Sequence, residues 1–573
     1  MRSAKNRIMT DKLKKFSLLT FWGLGICWSL PAAAQQTGWG EKNKLEDAEI
    51  VVEKQRVNEL PEATRNFEKF RIPPPEKKPR EVNYRFTDYR LTTNSLNLPM
   101  RVLTIKQDDL AQLYGNYLKA GLGNYNTAYV KGYFHNKRDN QYAYGLDVSH
   151  IGSGRGPVDG RNSGVSNSSI DLTGESYTRD VTVGGNLTYG RDRYNFYGYS
   201  PSIEEVDLDS IKQTFNRIGA GIYFNNKLSK SQLVYQAGLG IKYFNNRFEA
   251  KESNITTNIG VGYKLSETAK FNVDANASFV GYKDAENFNR SYIRLRPAYE
   301  SKSDLVNLSL GAVIGYTNDE VNNARKFNIY PSVRVGYELV DDQLQVFGGV
   351  EGDLQRTTLY DLTQENPYLN QNVAVADVNK ILDFYGGLTG SLGNSVNFTA
   401  RAAYQSYRNL YFFNNSATDS TKFDLVYDNG TTKVINFIGE LTYTQSQNFR
   451  LGLKTEYNAY TTDLLVKPFH RPAFQTNVFG SYNLNDKFYF HTELYYISST
   501  FGQVARLDTE GQSRLVLKET DNIADLNLKV DYRFSNKFST FVMGNNILGN
   551  QYQRFVNYPN KGLLLMIGAS YIF

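Results

Sequence analysis

The sequence predicts an all-β fold, a transmembrane antiparallel β-barrel of about 22 strands over residues 111–573 behind a short periplasmic N-terminal segment. Polar and apolar residues alternate from about residue 112 to the end, in runs broken by turn residues. Aromatic residues make up 14% of the chain, yet no stretch after Leu30 is apolar for long enough to cross a bilayer as a helix. The last residues, finally, read as an apolar strand that ends on an aromatic residue.

The alternation is clearest near the C-terminus. Ala524, Leu526, Leu528, Val530, Tyr532 and Phe534 fall on one strand face, and Asp525, Asn527, Lys529, Asp531 and Arg533 on the other. Phe271, Val273, Ala275, Ala277 and Phe279 repeat the pattern against Asn272, Asp274, Asn276 and Ser278. So do Phe449, Leu451, Leu453 and Tyr457 against Arg450, Lys454 and Glu456. One greasy and one wet face suits a wall between lipid and a polar lumen. The charged inner residues, mixed in sign, point to a wet or protein-contacting interior.

Two kinds of connection separate the strands. Residues 137–140, 266–268, 341–342, 393–395 and 535–537 read as short polar turns, whereas 152–177 and 359–380 read as long loops. Short periplasmic turns and long extracellular loops are the asymmetry of outer-membrane barrels. The stretches 418–432 and 507–520 read as hairpins reaching beyond the membrane, with Asn429-Gly430 as the turn of the first. The cluster Tyr404, Tyr407, Tyr411, Phe412 and Phe413 reads as part of an interfacial aromatic girdle.

The N-terminus carries Arg2, Lys5, Arg7, Lys12, Lys14 and Lys15, an apolar run from Phe16 to Leu30, and a small-residue site ending at Ala34. Residues 1–34 therefore read as a cleaved signal peptide. Ile26, where lipoprotein processing needs a small residue, argues against lipidation of Cys27, the only cysteine. Without it, disulfides and thiol chemistry are excluded from the mature chain. Those six basic residues less Asp11 account for +5 of the net charge of +7, so no polyanionic partner such as nucleic acid is implied. Residues 35–110 are charged and interrupted by Pro73-Pro74-Pro75 and Pro79, as in an extended periplasmic tail.

The chain closes on Gly568-Ala569-Ser570-Tyr571-Ile572-Phe573, with Leu563, Leu565, Ile567, Ala569, Tyr571 and Phe573 on one face. Gly568, Tyr571 and Phe573 resemble the signal by which the barrel-assembly machinery recognises its clients. Just upstream, Gly544-Asn545-Asn546-Ile547-Leu548-Gly549-Asn550, Tyr552 and Tyr558-Pro559 resemble the last hairpin of the TonB-dependent receptors. That resemblance implies a 22-stranded barrel in the outer membrane, a nutrient receptor and transporter, and TonB as an energising partner. Glu49-Ile50-Val51-Val52-Glu53 is similar to the family's TonB box, which docks by strand addition. The family's plug domain needs well over a hundred residues, more than the tail offers, so a full plug is expected to be missing or much reduced.

A lumen of this width cannot be filled by wall side chains alone. The N-terminal segment, inward-folded loops or a lumen-filling or surface partner protein are the candidates to occupy it. His135, His150, His470 and His491 lack metal-ligand spacing and no serine sits in a nucleophile-elbow sequence. Catalytic, cofactor and metal sites are therefore not expected, and the chain reads as a non-enzyme. The expected partners are outer-membrane lipid and the assembly machinery. The alternative to a receptor is a non-transporting scaffold or accessory barrel of an envelope complex.

Overall fold

A computed structural model describes residues 115–573 apart from 138, 200–205, 228–229 and 508–512. The segments expected to be a signal peptide, residues 1–34, and a periplasmic tail or reduced plug, residues 35–110, with the stretch Glu49, Ile50, Val51, Val52 and Glu53, lie outside the described residues. From Asn116–Gly123 to Leu564–Ile572, 22 strands form one antiparallel sheet. The first strand pairs with the last, from Tyr117 opposite Ile572 to Gly123 opposite Met566, so the sheet closes into a barrel. Closure satisfies both edges, which would otherwise be templates for aggregation.

The outward faces are the apolar ones that alternation predicts. Leu528, Phe271, Phe279, Leu451 and Ile567 are all exposed, and they line the exterior as a band suited to lipid. The opposite faces carry the polar side chains, linked across strands, where Asn276 donates to Asn258 at 2.7 Å and Lys454 pairs with Glu440 at 2.9 Å, and along one strand, where Lys529 pairs with Asp531 at 2.6 Å. The expected mixture of charges thus lies on the inner face.

At one end of the barrel every turn is short, as at 265–268, 341–343, 393–395 and 534–537. The other end carries the long connections 154–164, 196–211, 356–377, 409–431, 462–473, 498–522 and 546–563, interspersed with the tight links 124–126, 247–250 and 284–286. Two expectations about these connections are corrected. The segment 152–177 is mostly strand, because Val165–Tyr177 pairs along its whole length with both neighbours. Its Ser, Asn and Gly content imitates a loop, yet Ile170 and Leu172 still face outward. Asn429-Gly430 is not a hairpin turn either: strands Tyr411–Asn415 and Phe423–Tyr427 pair around 416–422, and Asn429 lies on the return path to the wall. The other hairpin pairs Phe501–Leu507 with Ser513–Glu519, close to where it is expected.

Candidate functional site

The long connections fold into the barrel mouth and form a cap across it. Its core joins Phe413, Phe423, Leu425, Phe555 and Tyr558 from two loop hairpins to Leu359, Leu362, Leu369, Val373 and Val375 of the connection 356–377. These residues pack on Phe215, Phe244 and Tyr282, which project from the wall. Tyr368 stacks on Tyr558 with ring centroids 3.6 Å apart, and Phe555 meets Phe423 edge-on at 5.4 Å. The girdle expectation is therefore corrected for Tyr411, Phe412 and Phe413. Phe412 is wholly buried among loops and Tyr407 turns inward toward Gln405, whereas Tyr404 does face outward. Alternation fails to assign them because Tyr411–Asn415 belongs to a loop hairpin rather than to the wall.

Each attachment of the cap follows from ordinary backbone chemistry. Helix Leu359–Glu365 starts at Thr358, whose hydroxyl accepts from the Asp361 amide at 3.2 Å, an N-cap. Its next free amides, on Leu359 and Tyr360, donate to Glu252 on the wall at 2.8 and 3.2 Å. A wall carboxylate thus holds the positive end of the helix. Arg217, paired with Asp192 on the wall, donates to Thr363 in the same helix at 3.0 Å.

The base of that connection is held by a buried ion network. Arg290 binds Asp319 through Nε at 2.7 Å and Asp377 through Nη2 at 2.7 Å. Arg356 adds a bond to Asp377 at 3.0 Å, Thr317 donates to Asp377 at 2.9 Å, and the Thr357 amide to it at 3.1 Å.

On the opposite wall, the expected asparagine-rich bend acquires a structural meaning. Asn546 takes a left-handed conformation at φ 50°, and its side-chain amide donates to the carbonyls of Asn550 and Lys561 at 2.7 and 2.8 Å. This stitches together the two ends of the loop that carries Tyr552 and Tyr558. Tyr552 donates to buried Asp525 at 2.7 Å. Burial, together with this carboxylate, pushes its phenol up to about 12, so it remains a donor.

His470 pins three loops at once, a role its isolation in sequence does not suggest. Its Nδ1 lies 2.7 Å from the Phe413 carbonyl and its Nε2 accepts from the Val556 amide at 3.2 Å. Both contacts require the neutral ring with its proton on Nδ1. Burial accordingly holds the imidazole down at about 4, from an ordinary 6.5. Protonation would set Nε2–H against the Val556 N–H, two donors facing each other. Cap closure is therefore fully favoured above about pH 6.5, weakens as the pH falls toward about 4, and levels off below that. The total loss is roughly 3 kcal/mol. Channel recordings in planar bilayers between pH 7 and 4 are expected to show opening events that become more frequent through this window. His470→Phe, which has no proton to gain, should abolish the dependence; an unchanged pH response in it would rule out this histidine as the titrating group.

The other histidines are dispersed: His135 lies 2.8 Å from Asp147, His150 lies 2.8 Å from Ser168, and His491 lies 3.9 Å from Asp531. Between the inner surface of the cap and the wall lies a cavity of about 510 Å³, lined by Tyr368, Tyr552 and Arg554 above and by Glu456, Gln475 and Asn477 on the wall. Aromatic faces beside a few directed polar groups are the usual make-up of a small-molecule site.

The predicted terminal residues sit at the closing seam. Gly568 lies opposite Gly121 of the first strand and Phe541 of the neighbouring strand, while Tyr571 and Phe573 project outward with rings stacked at 5.8 Å.

No protein-family model matches the chain, and no curated protein matches its sequence. Solved structures do match. The FrpB iron transporter from Neisseria meningitidis superposes with a TM-score of 0.63 at 11% identity, over 81% of this chain and 82% of that one. The siderophore receptor PirA from Acinetobacter baumannii gives 0.61 at 12% identity, over 80% of each chain. The ferric-catecholate import receptor Fiu from E. coli K12 gives 0.60 at 10%, over 80% and 82%. In fold, this barrel is similar to those of the TonB-dependent receptors. The likeness is one of fold, and it agrees with the 22 strands of the closed sheet. In this chain the mouth of the lumen is closed by its own loops.

Proposed function

We propose that this protein is an outer-membrane receptor barrel that binds a nutrient at its long-loop end and imports it. The loop-built cap then does the sealing that a full plug would otherwise do. The carrying observation is the cap itself, with a mixed aromatic and polar cavity of about 510 Å³ on its inner side. In this reading residues 1–34 direct export, residues 35–110 are a periplasmic tail, and residues 111–573 form the barrel. Glu49, Ile50, Val51, Val52 and Glu53 dock TonB, and Gly568, Tyr571 and Phe573 engage the assembly machinery.

Thermal motion alone rarely displaces such a cap. Each buried apolar side chain contributes about 1.5–3 kcal/mol, and the core holds at least five from the hairpins alone. Opening therefore needs a ligand or partner that binds the open state better than the closed one. The same packing also favours a second reading, in which the barrel is permanently shut and serves as a scaffold in an envelope complex.

Reconstitution in planar bilayers separates the two. The intact chain is expected to be nearly silent at pH 7, and replacing 411–427 by a short turn should produce stepwise conductance. Persistent silence would place the seal elsewhere and defeat the cap-gated reading. Recovery of one stoichiometric protein partner from native outer membranes would favour the scaffold.

A further inference from the structure

On one flank of the long-loop rim, basic side chains gather outside the barrel, just beyond the apolar band. Along strand Thr182–Asn195 the outward positions read Val183, Leu187 and Tyr189, all exposed, and then Arg191 and Arg193. Neighbouring strand Lys212–Asn225 places Lys212 on the same outer face as exposed Ile218 and Ile222. Arg155 and Arg161 of the connection 154–164 complete a pocket of about 420 Å³, together with Asn126, Asn195 and the half-exposed Leu208.

Among the described residues, no acidic side chain lines this pocket. Arg155, Arg161 and Arg193 form no ion pair among the described residues, and the buried Nε of Arg193 has no hydrogen-bond partner. Lys212 lies 4.0 Å from Asp209, which is itself exposed to solvent and shared with Arg247 at 3.9 Å. Glu204 and Glu205 of the same connection lie outside the described residues. A pocket elsewhere around the long-loop end is different, since there Asp377 and Asp428 stand beside Arg325 and Arg408. The positive charge of the three arginines is thus local and convergent, with only Lys212 partly offset by Asp209, and Arg forks match phosphate oxygens.

We propose that this flank binds the phosphate of an outer-leaflet glycolipid head group. Three features favour a membrane lipid over a soluble phosphate. The cluster faces outward rather than into the lumen, it lies directly above Tyr189 and the apolar band, and Leu208 offers an apolar contact beside the charges. The proposal rests on the long-loop end facing outward, and it is independent of whether the barrel transports anything. A lipid held here would brace the 154–164 connection against the wall.

Native mass spectrometry of the full chain in detergent, with added diphosphoryl lipid A, tests it. The wild-type protein should retain diphosphoryl lipid A over its dephosphorylated form, less so at high salt, and equimolar inorganic phosphate should not displace it. The variant R155Q/R161Q/R193Q should retain it on the order of a hundredfold more weakly. K433Q, which removes an exposed lysine on the outer face of another strand, should bind as wild type. Heat-modifiable gel mobility reports that each variant has folded. Equal retention of the dephosphorylated lipid, displacement by phosphate, insensitivity to salt or undiminished binding by the triple variant would each overturn the proposal. Conductance is unaffected by any of these outcomes, so failure here is distinct from failure of the receptor reading.

Discussion

Gly568→Leu is expected to abolish the folded barrel, both in cells and on refolding into detergent. A Cβ built at Gly568 would stand 2.2 Å from the Ala120 carbonyl and 2.5 Å from the Phe541 ring. The carbonyl belongs to the first strand and the ring to the neighbour on the other side, so neither can retreat without opening the seam. Phe541 is 1% exposed, with the Lys119 ammonium 4.0 Å above its ring, which leaves the ring no alternative space. Overpacking of this kind ordinarily costs about 1–3 kcal/mol. Here it also prevents the pairing that removes both sheet edges. Loss of the heat-modifiable band is the readout, and wild-type levels of folded protein would refute the account. Tyr571→Ala with Phe573→Ala makes the contrast. Both side chains project outward and fill no interior space. If they serve recognition by the assembly machinery, the double variant should refold normally in detergent yet assemble poorly in cells.

Asp377→Ala is expected to release the cap while leaving the wall intact. It strips Arg290 and Arg356 of a shared carboxylate whose side chain is fully buried. Arg290 would then keep Asp319 alone and Arg356 would lose its ion pair, and breaking a buried pair by removing one partner costs about 3–5 kcal/mol. The damage should remain local, because Asp377 lies in the connection just before strand Val378–Leu392 and the ladders of the wall do not depend on it. Limited proteolysis should therefore cut within 356–377 in the variant and not in the wild type, with the heat-modifiable band preserved and conductance raised. Resistance equal to wild type would mean that the aromatic core holds the cap without this network.

What the two variants probe differs in how far it can be read from the chain. Gly568 is visible in a linear pattern, since a terminal strand with period two marks its own faces. Ala524 to Phe534 likewise sort correctly into outer and inner residues, because the side-chain period of a strand depends on local geometry alone. The bend at 544–550 is recognisable in the sequence by its resemblance to a family motif, and the structure gives its physical content: a left-handed Asn546 whose side chain bonds Asn550 four residues on. Even Val165–Tyr177, rich in Ser and Asn, keeps the alternation that composition obscures.

The cap is another matter. Phe412, Phe413 and Phe423 carry no period that distinguishes a lipid-facing girdle from a buried core, and the partners of Phe413 and Phe423 stand far away in the chain, Phe555 and Phe215 among them. Arg290 meets Asp377 across 87 residues, and His470 meets Val556 across 86. Sequence alone thus determined the barrel: strand number, inner and outer faces, short and long ends, and the closing strand, all consequences of period-two geometry and local turn chemistry. Tertiary structure alone decided what shuts its mouth, because the loop side chains meet partners distant in the chain that the closed sheet of 22 strands brings to one end of the barrel.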